Sequence, residues 1–384
     1  MAASLSTSKT VHLHTLLHPD CLQLIFQKLD LLSLLTAGSV CREWHRVVIQ
    51  LMQNVKAIDL GQVSKQSRWR LQEYQILSML SMFCNLESIT LKGWSDHHVD
   101  IAKIVLQKYK SEKLNRIDLR GRDGEFDIND IRAFAKNCPN LQHINISSCS
   151  TITDVMIEQL MSLWKQSLCS VDVSNCKKVT SKSIRMMVLR GISTIIASSC
   201  PKICGPMVVP SSNNCKIELL KLNSTNLTAL HIAGDVLIQS LYLTDCKYLE
   251  NLIIDAKTLV TLNMTGCKRL ADAIITGEEL TEVNFFGCYR ISTEVIENVC
   301  VNCKKLRILN CNGAYSGTSF HVNMPSLETC DFVGCNSLDA FSMEAPNLKS
   351  VSFSNKAPLS QVHIKMPYGA QVKGMRPNFV CTYH

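Results

Sequence analysis

Residues 259–291 read LVTLNMTGCKRLADAIITGEELTEVNFFGCYRI, and one pattern passes through them twice. Leu259, Leu262 and Met264 are followed by Cys267 and Leu270; 21 residues later Leu280, Val283 and Phe285 are followed by Cys288 and Ile291. The second and third apolar positions alternate with polar ones, as in a short strand with one buried face. Counting these two, the triplet occurs eleven times, from Leu86/Ile89/Leu91 to Leu327/Cys330/Phe332. In seven units a cysteine stands three residues after the triplet: Cys149, Cys176, Cys200, Cys246, Cys267, Cys288 and Cys335. Such self-similarity predicts a solenoid in which each coil contacts only its neighbours.

The cysteine position has a physical reading. The chain turns as it leaves each strand, and a backbone carbonyl of the neighbouring coil is buried at that bend. A thiol can donate weakly to it and still pack as an apolar group. The expectation is a buried, reduced ladder, in keeping with an odd total of nineteen cysteines. A metal site competes at Cys200/Cys204 and Cys300/Cys303, but zinc needs four ligands and no second spaced pair lies near either.

The return paths change along the chain. Early units are about 27 residues apart, room for a helix after each strand; 154–164, 181–191 and 293–303 have helical apolar spacing. Between 217 and 280 triplets come every ten or eleven residues, too few for strand plus helix. Leu227/Leu230/Ile232, Leu249/Leu252/Ile254, Leu338/Phe341/Met343 and Leu359/Val362/Ile364 predict extended return segments, with strands on both faces.

The first sixty residues lack this pattern until Val55/Ile58/Leu60. In HPDCLQLIFQKLD, Leu22, Ile25, Phe26 and Leu29 share one helical face, with Pro19 in the first turn. Asp30 can cap a second helix, and VCREWHRVVIQLM reads as a third. Leu31, Leu32, Leu34, Leu35, Val40 and Trp44 are more apolar surface than so small a bundle can hide.

This run resembles an F-box in Pro19-Asp20, Leu22, Ile25-Phe26, Leu29, Leu34-Leu35 and Val40-Cys41-Arg42-x-Trp44, departing from it at His18 and Cys21. The later units resemble leucine-rich repeats of the cysteine-containing variety. The fold expected is α/β: a three-helix F-box at 10–54, then a leucine-rich-repeat solenoid at 55–384, its convex side helical in early repeats and partly extended later, ending in a basic tail. The resemblance to F-box/leucine-rich-repeat proteins implies a non-catalytic substrate receptor of an SCF-type cullin–RING ubiquitin ligase. A Skp-family adaptor would dock on Pro19, Leu22, Ile25, Phe26, Leu29, Leu34, Leu35 and Trp44, and through it cullin and RING subunits. A non-ligase scaffold is the alternative. A protein target would lie on the concave face, where strand alternation turns outward His143, Asn145, Asp172, Lys221, Tyr242, Asn263, Glu282, Asn284, Asn310 and Asp331, with Phe286 just beyond. Tyr242 and Phe286 are the expected aromatic anchors, with Lys221 and Glu282 adding charge selectivity.

Composition bounds the rest. Apolar residues are 46%, no apolar run is long enough for a membrane span, and the N-terminus lacks a basic segment before an apolar core. A soluble cytoplasmic or nuclear protein is expected. Aromatics at 6% argue against a stacking surface for nucleic acid. Most of the net charge of +8 is local: Lys65, Arg68 and Arg70 surround Trp69, and Lys349, Lys356, Lys365, Lys373 and Arg376 follow Glu344 without an acid among them, in a tail where Pro358, Pro367 and Pro377 are expected to break regular coils. No Gly-rich phosphate loop, His-Glu-x-x-His or Gly-x-Ser-x-Gly is present. Arg116 and Arg120 flank Asp118, so a phosphate cup is not expected, and no cofactor is implied.

Overall fold

In the computed structural model, residues 18–61, 73–92, 101–121, 127–211, 216–374 and 380–383 are described. The cluster around Trp69, the F-box segment before His18, and Arg376 with Pro377 lie outside them. The chain divides into two compact units, Met1–Leu119 with Asn129–Leu141, and Arg120–Ile128 with Gln142–His384.

The first unit opens with three helices. α1 (Pro19–Phe26) begins on proline, whose missing N–H would be unpaired there anyway. α2 (Leu31–Gly38) is capped as expected: Asp30 Oδ1 accepts from the Ser33 N–H at 2.9 Å. α3 (Arg42–Gln53) buries Val47, Val48, Leu51 and Met52, and a side chain at Gly38 would meet Val48 at 3.3 Å, so α2 and α3 cross closely. Helices α4 (Glu73–Ser81), α5 (Ile101–Lys108) and α6 (Ile128–Asn137) then alternate with short parallel strands β1 (Ala57–Asp59), β2 (Ser88–Thr90) and β3 (Arg116–Asp118). Ile58, Ile89 and Ile117 stack in register as its core.

The second unit is a parallel-strand solenoid. Its inner sheet runs β4 (His143–Asn145), β5 (Ser170–Asp172), β6 (Thr194–Ile196), β8 (Lys216–Lys221), β10 (Leu237–Tyr242), β12 (Thr261–Asn263), β14 (Glu282–Asn284), β15 (Ile308–Asn310), β17 (Thr329–Phe332), β19 (Ser350–Phe353) and β21 (Gln371–Lys373). The middle residues of the triplets form one buried row: Ile144, Val171, Ile195, Leu220, Leu241, Leu262, Val283, Leu309, Cys330 and Val351. α7 (Asp154–Leu163), α8 (Ser181–Leu189) and α9 (Thr293–Asn302) close three coils. Strands close others, in two outer sheets: β7 (Cys204–Val209), β9 (Asn226–Ile232), β11 (Asn251–Asp255) and β13 (Asp272–Thr276), and later β16 (Ser319–Asn323), β18 (Ala340–Glu344), β20 (Gln361–Met366) and β22 (Val380–Tyr383). The change from helix to strand follows the shortening of the units. The flat coils near the C-terminus are filled by rings: Phe320, Phe332, Phe341 and Phe353 lie with centroids 4.8 to 6.3 Å apart.

The corners at Cys176, Cys200, Cys246, Cys267 and Cys288 each tie three coils. The residue before each ladder cysteine is left-handed, φ 57° at Ser148, 56° at Asp245 and 71° at Gly287. Its N–H reaches the next coil, as from Asp245 to Thr265 O at 2.7 Å. The thiol reaches back: Cys176 Sγ donates to Ile146 O at 3.3 Å, Cys200 to Val173 O at 3.2 Å, Cys246, Cys267 and Cys288 to Leu222, Leu243 and Met264 O at 3.1 Å, and Cys335 to Cys311 O at 3.2 Å. Cys149 Sγ bonds Ser147 O at 3.6 Å, as Cys200 Sγ also does to Ser198 O at 3.7 Å. Thr225 takes the cysteine's place in one coil and bonds Leu222 O at 2.8 Å. Burial pushes the thiols of Cys176 and Cys288 up to about 12, and those of Cys200 and Cys335 to about 11.

Two expectations for the C-terminal tail need correction. Two of its lysines are not unopposed: Lys349 Nζ lies 2.8 Å from Glu328, and Lys365 Nζ 2.6 Å from Glu344. Coils bring together charges that the linear chain separates. Nor do Pro358 and Pro367 break the coils. Both fall between strands, where no ladder hydrogen bond is lost, and β20 and β21 follow in register.

Candidate functional site

The helical module sorts its apolar residues into two sets. Leu22, Phe26 and Leu34 are buried inside it, and Phe26 meets Trp44 edge-to-face at 5.0 Å. Leu35 and Trp44 are half-buried, and the Trp44 indole N–H is buried without an acceptor among the described residues. Pro19 is exposed, and so are Leu24, Ile25, Leu29 and Val40, at 65%, 48%, 37% and 58%. The single helical face expected for Leu22, Ile25, Phe26 and Leu29 is thus divided. α1 ends at Phe26, so Leu29 sits in the following turn, and eight residues of helix present only two side chains to so small a core. Of the expected docking residues, Pro19, Ile25 and Leu29 are the accessible ones. Leu24 is exposed as well and lay outside the helical apolar pattern, so periodicity gave no signal for it.

These exposed residues fall at the two ends of α1, in the turn after it and beyond α2.

On the inner sheet, Lys221 and Tyr242 are register partners, and the lysine Nζ lies 5.1 Å from the ring centroid. Tyr242 pairs with Asn263, and Asn263 with Asn284. Glu282 precedes Asn284 by two residues and shares its face, half-buried. Phe286 follows by two and is 44% exposed. Lys221 thus lies over the Tyr242 ring.

The polar residues of the same row have a structural task that alternation alone does not reveal. Asn145, Asp172, Asn263, Asn284, Asn310 and Asp331 each accept, through Oδ1, the N–H two residues on, at 2.8 to 3.0 Å. These bonds start the turn after the strand. Lys221 and Tyr242 occupy the same position without making that bond. Further exposed residues near the corner, Tyr248, Tyr289 and Val333, were not anticipated; each follows the strand and so falls outside the triplet pattern.

Among the described residues, no group of three or more His, Cys, Asp or Glu side chains is placed to hold a metal ion, and no helix is long and apolar enough to cross a membrane.

Comparison with known proteins is informative at one end of the chain. No curated protein matches it. A yeast structure, the complex of Rad7 and Elc1, aligns over 95% of this chain and 93% of its own at 14% identity, with a TM-score of 0.36, too loose a superposition to bear on function. A family model described as F-box domain matches residues 15–56, the segment that holds α1, α2 and α3. The helical module is an F-box domain, and it is followed by a parallel-strand solenoid of mixed helix and strand.

Proposed function

We propose that the chain is the substrate-recognition subunit of an SCF-type cullin–RING ubiquitin ligase. The observation that carries this reading is the exposed apolar set Leu24, Ile25, Leu29 and Val40 within a segment matching the F-box domain. A Skp-family adaptor covering these side chains would gain apolar burial that the module cannot obtain by itself. Cullin and RING subunits would join through the adaptor. The solenoid would hold a protein target near the conjugating machinery, so the subunit would act by raising local concentration and not by chemistry of its own.

For the target, the inner-sheet pair Lys221/Tyr242 with Phe286 and Glu282 is the proposed contact. The support is that Tyr242 stands in a row where Asn145, Asp172, Asn263, Asn284, Asn310 and Asp331 are committed to turns, while the Tyr242 and exposed Phe286 rings carry no such task. Replacing Tyr242 and Phe286 together by alanine should lose the target while the adaptor stays bound; retention of every target would move the contact elsewhere. The ligase role is tested by co-purifying adaptor and cullin with the full chain and assaying ubiquitin transfer to a captured target. Adaptor without cullin, and no transfer, would favour a scaffold.

A further inference from the structure

The two outer sheets of the second unit share one construction and differ in what they show to solvent. In the later sheet the outward rows are polar, His321/Ser342/His363 and Asn323/Glu344/Lys365. In the earlier sheet the central outward row is Val208, His231, Ile253 and Ile274, register partners from β7 to β13. Its three aliphatic side chains are 41 to 63% exposed, and His231 is exposed between them. All-parallel sheets ordinarily have both faces covered. Of two uncovered sheets in one molecule, only the later has a surface suited to water.

The surroundings of the apolar row narrow what can cover it. Helices close both edges of the sheet, α8 packing against β7 and α9 against β13, so no further strand can be added. Each helix also carries an exposed aliphatic, Leu189 on α8, which borders Pro206 and Met207, and Val301 on α9. A row one side chain wide is far too small for a second copy of the sheet, since a stable interface buries about 800 Å² per partner. A single helix needs only such a row. Its apolar residues advance about 5.4 Å per turn, close to the 4.8 Å or so between strands, so one side chain per turn meets each successive strand. An extended peptide laid the same way repeats every ~6.7 Å and falls out of step.

The flanks are charged, and in a definite order. Arg185 and Arg190 are exposed beside Leu189 at the α8 end. Asp255 follows Ile253 by two residues and Asp272 precedes Ile274 by two, so both carboxylates stand on the outward face at the other end. Asp255 also accepts from Thr276 Oγ1 at 3.0 Å, which leaves its charge in place.

We propose that this face receives an amphipathic helix of a partner protein, laid across β7, β9, β11 and β13. Aliphatic residues at i, i+3, i+4 and i+7 would cover the apolar row. Acids in its N-terminal half would meet Arg185 and Arg190, and bases in its C-terminal half Asp255 and Asp272. That is the order of charge a helix prefers on its own account, so the face sets the direction in which the helix lies. The site is apart from the adaptor-docking residues and from the inner-sheet contact, and rests on neither.

The test uses the full chain and a fluorescein-labelled peptide, ELEAELEALAQALKALKAKLK, in a polarisation titration, with circular dichroism of the mixture. Binding is expected, with a gain in helix signal. Affinity should fall roughly tenfold or more in the Ile253→Thr/Ile274→Thr variant, which keeps β-branched residues on the strands, and stay unchanged in His321→Thr/His363→Thr on the polar sheet. A second arm acts on the ligand and so does not depend on how any variant folds: the proline-broken peptide ELEAELEPLAQPLKALKAKLK should bind roughly tenfold more weakly or less. The proposal is overturned by no binding at millimolar concentration, by equal affinity for the proline-broken peptide, or by equal losses in the two double variants. Sedimentation showing a dimer that Ile253→Thr/Ile274→Thr dissolves would overturn it in favour of a second copy.

Discussion

The F-box helices and the strand-walled coils treat apolar side chains in opposite ways. Between Ile217 and Phe285 the triplet residues of the inner strands are all fully buried, because each coil supplies a wall for the next. The F-box module leaves Leu24, Ile25 and Val40 about half exposed or more. A repeat can close its core by stacking on a copy of itself, while a bundle of three short helices has too little interior for its apolar residues. Completeness in one region and incompleteness in the other therefore have the same cause. The incomplete region is where a partner has the most to gain.

The largest effect should come from opening the complete region. Phe341 is fully buried, stacked on Phe320 at 5.3 Å and edge-on to Phe353 at 4.8 Å. Phe341→Ala should destabilise the chain by about 3–5 kcal/mol in denaturant unfolding; a change below about 1 kcal/mol would mean that the coils are less tightly closed than described. Cys267→Ser comes next. The thiol both packs and donates to Leu243 O, and a shorter, more polar hydroxyl fits that bend less well. A loss of about 1–2 kcal/mol is expected. Full stability in the serine variant would show that the ladder bonds are incidental.

The thiols also set a pH dependence. Cys176 and Cys288 are raised to about 12 in the folded chain from an ordinary value of 9.0. Below pH 9 the folded and unfolded chains hold these protons alike. Above it the unfolded chain loses them first, so stability should fall progressively from about pH 9 towards 12. A denaturant midpoint that is flat over that window, or that rises, would contradict the burial of these groups. Rapid alkylation of native ladder thiols at pH 8 would do so as well. The smallest effect belongs to Lys365→Ala, which removes an exposed cross-coil pair with Glu344 and should leave the unfolding midpoint unchanged.

Much of this contrast was legible in the residues. The triplets place every inner strand of the second unit from β4 to β17, and the thiol at a fixed offset announces a donor for the preceding coil's carbonyl. Asp30 was readable as a cap because a cap depends on local sequence alone. What escaped depends on distance along the chain or on chain direction. Glu328 and Lys349 are 21 residues apart, so a local count of charge leaves the tail unopposed. β7, with CGPMVV, has no apolar triplet to betray it. Alternation turns Asn284 outward correctly, yet cannot reveal that its side chain is committed to the Phe286 N–H. In α1, helical periodicity gathers Leu22, Ile25, Phe26 and Leu29 onto one face, but the helix stops before Leu29 and the bundle has room for only two of them.

The most direct test of the unfinished face is a calorimetric titration of a Skp-type adaptor into the full chain and into the Ile25→Ala/Leu29→Ala variant, with thermal unfolding of both. Because the two side chains are exposed, Tm should be nearly unchanged. Adaptor binding should weaken by roughly 2–4 kcal/mol, about 30- to 1000-fold in Kd. Equal affinity for the two chains, or a loss of affinity matched by unfolding of the variant, would contradict the assignment of this face to the adaptor.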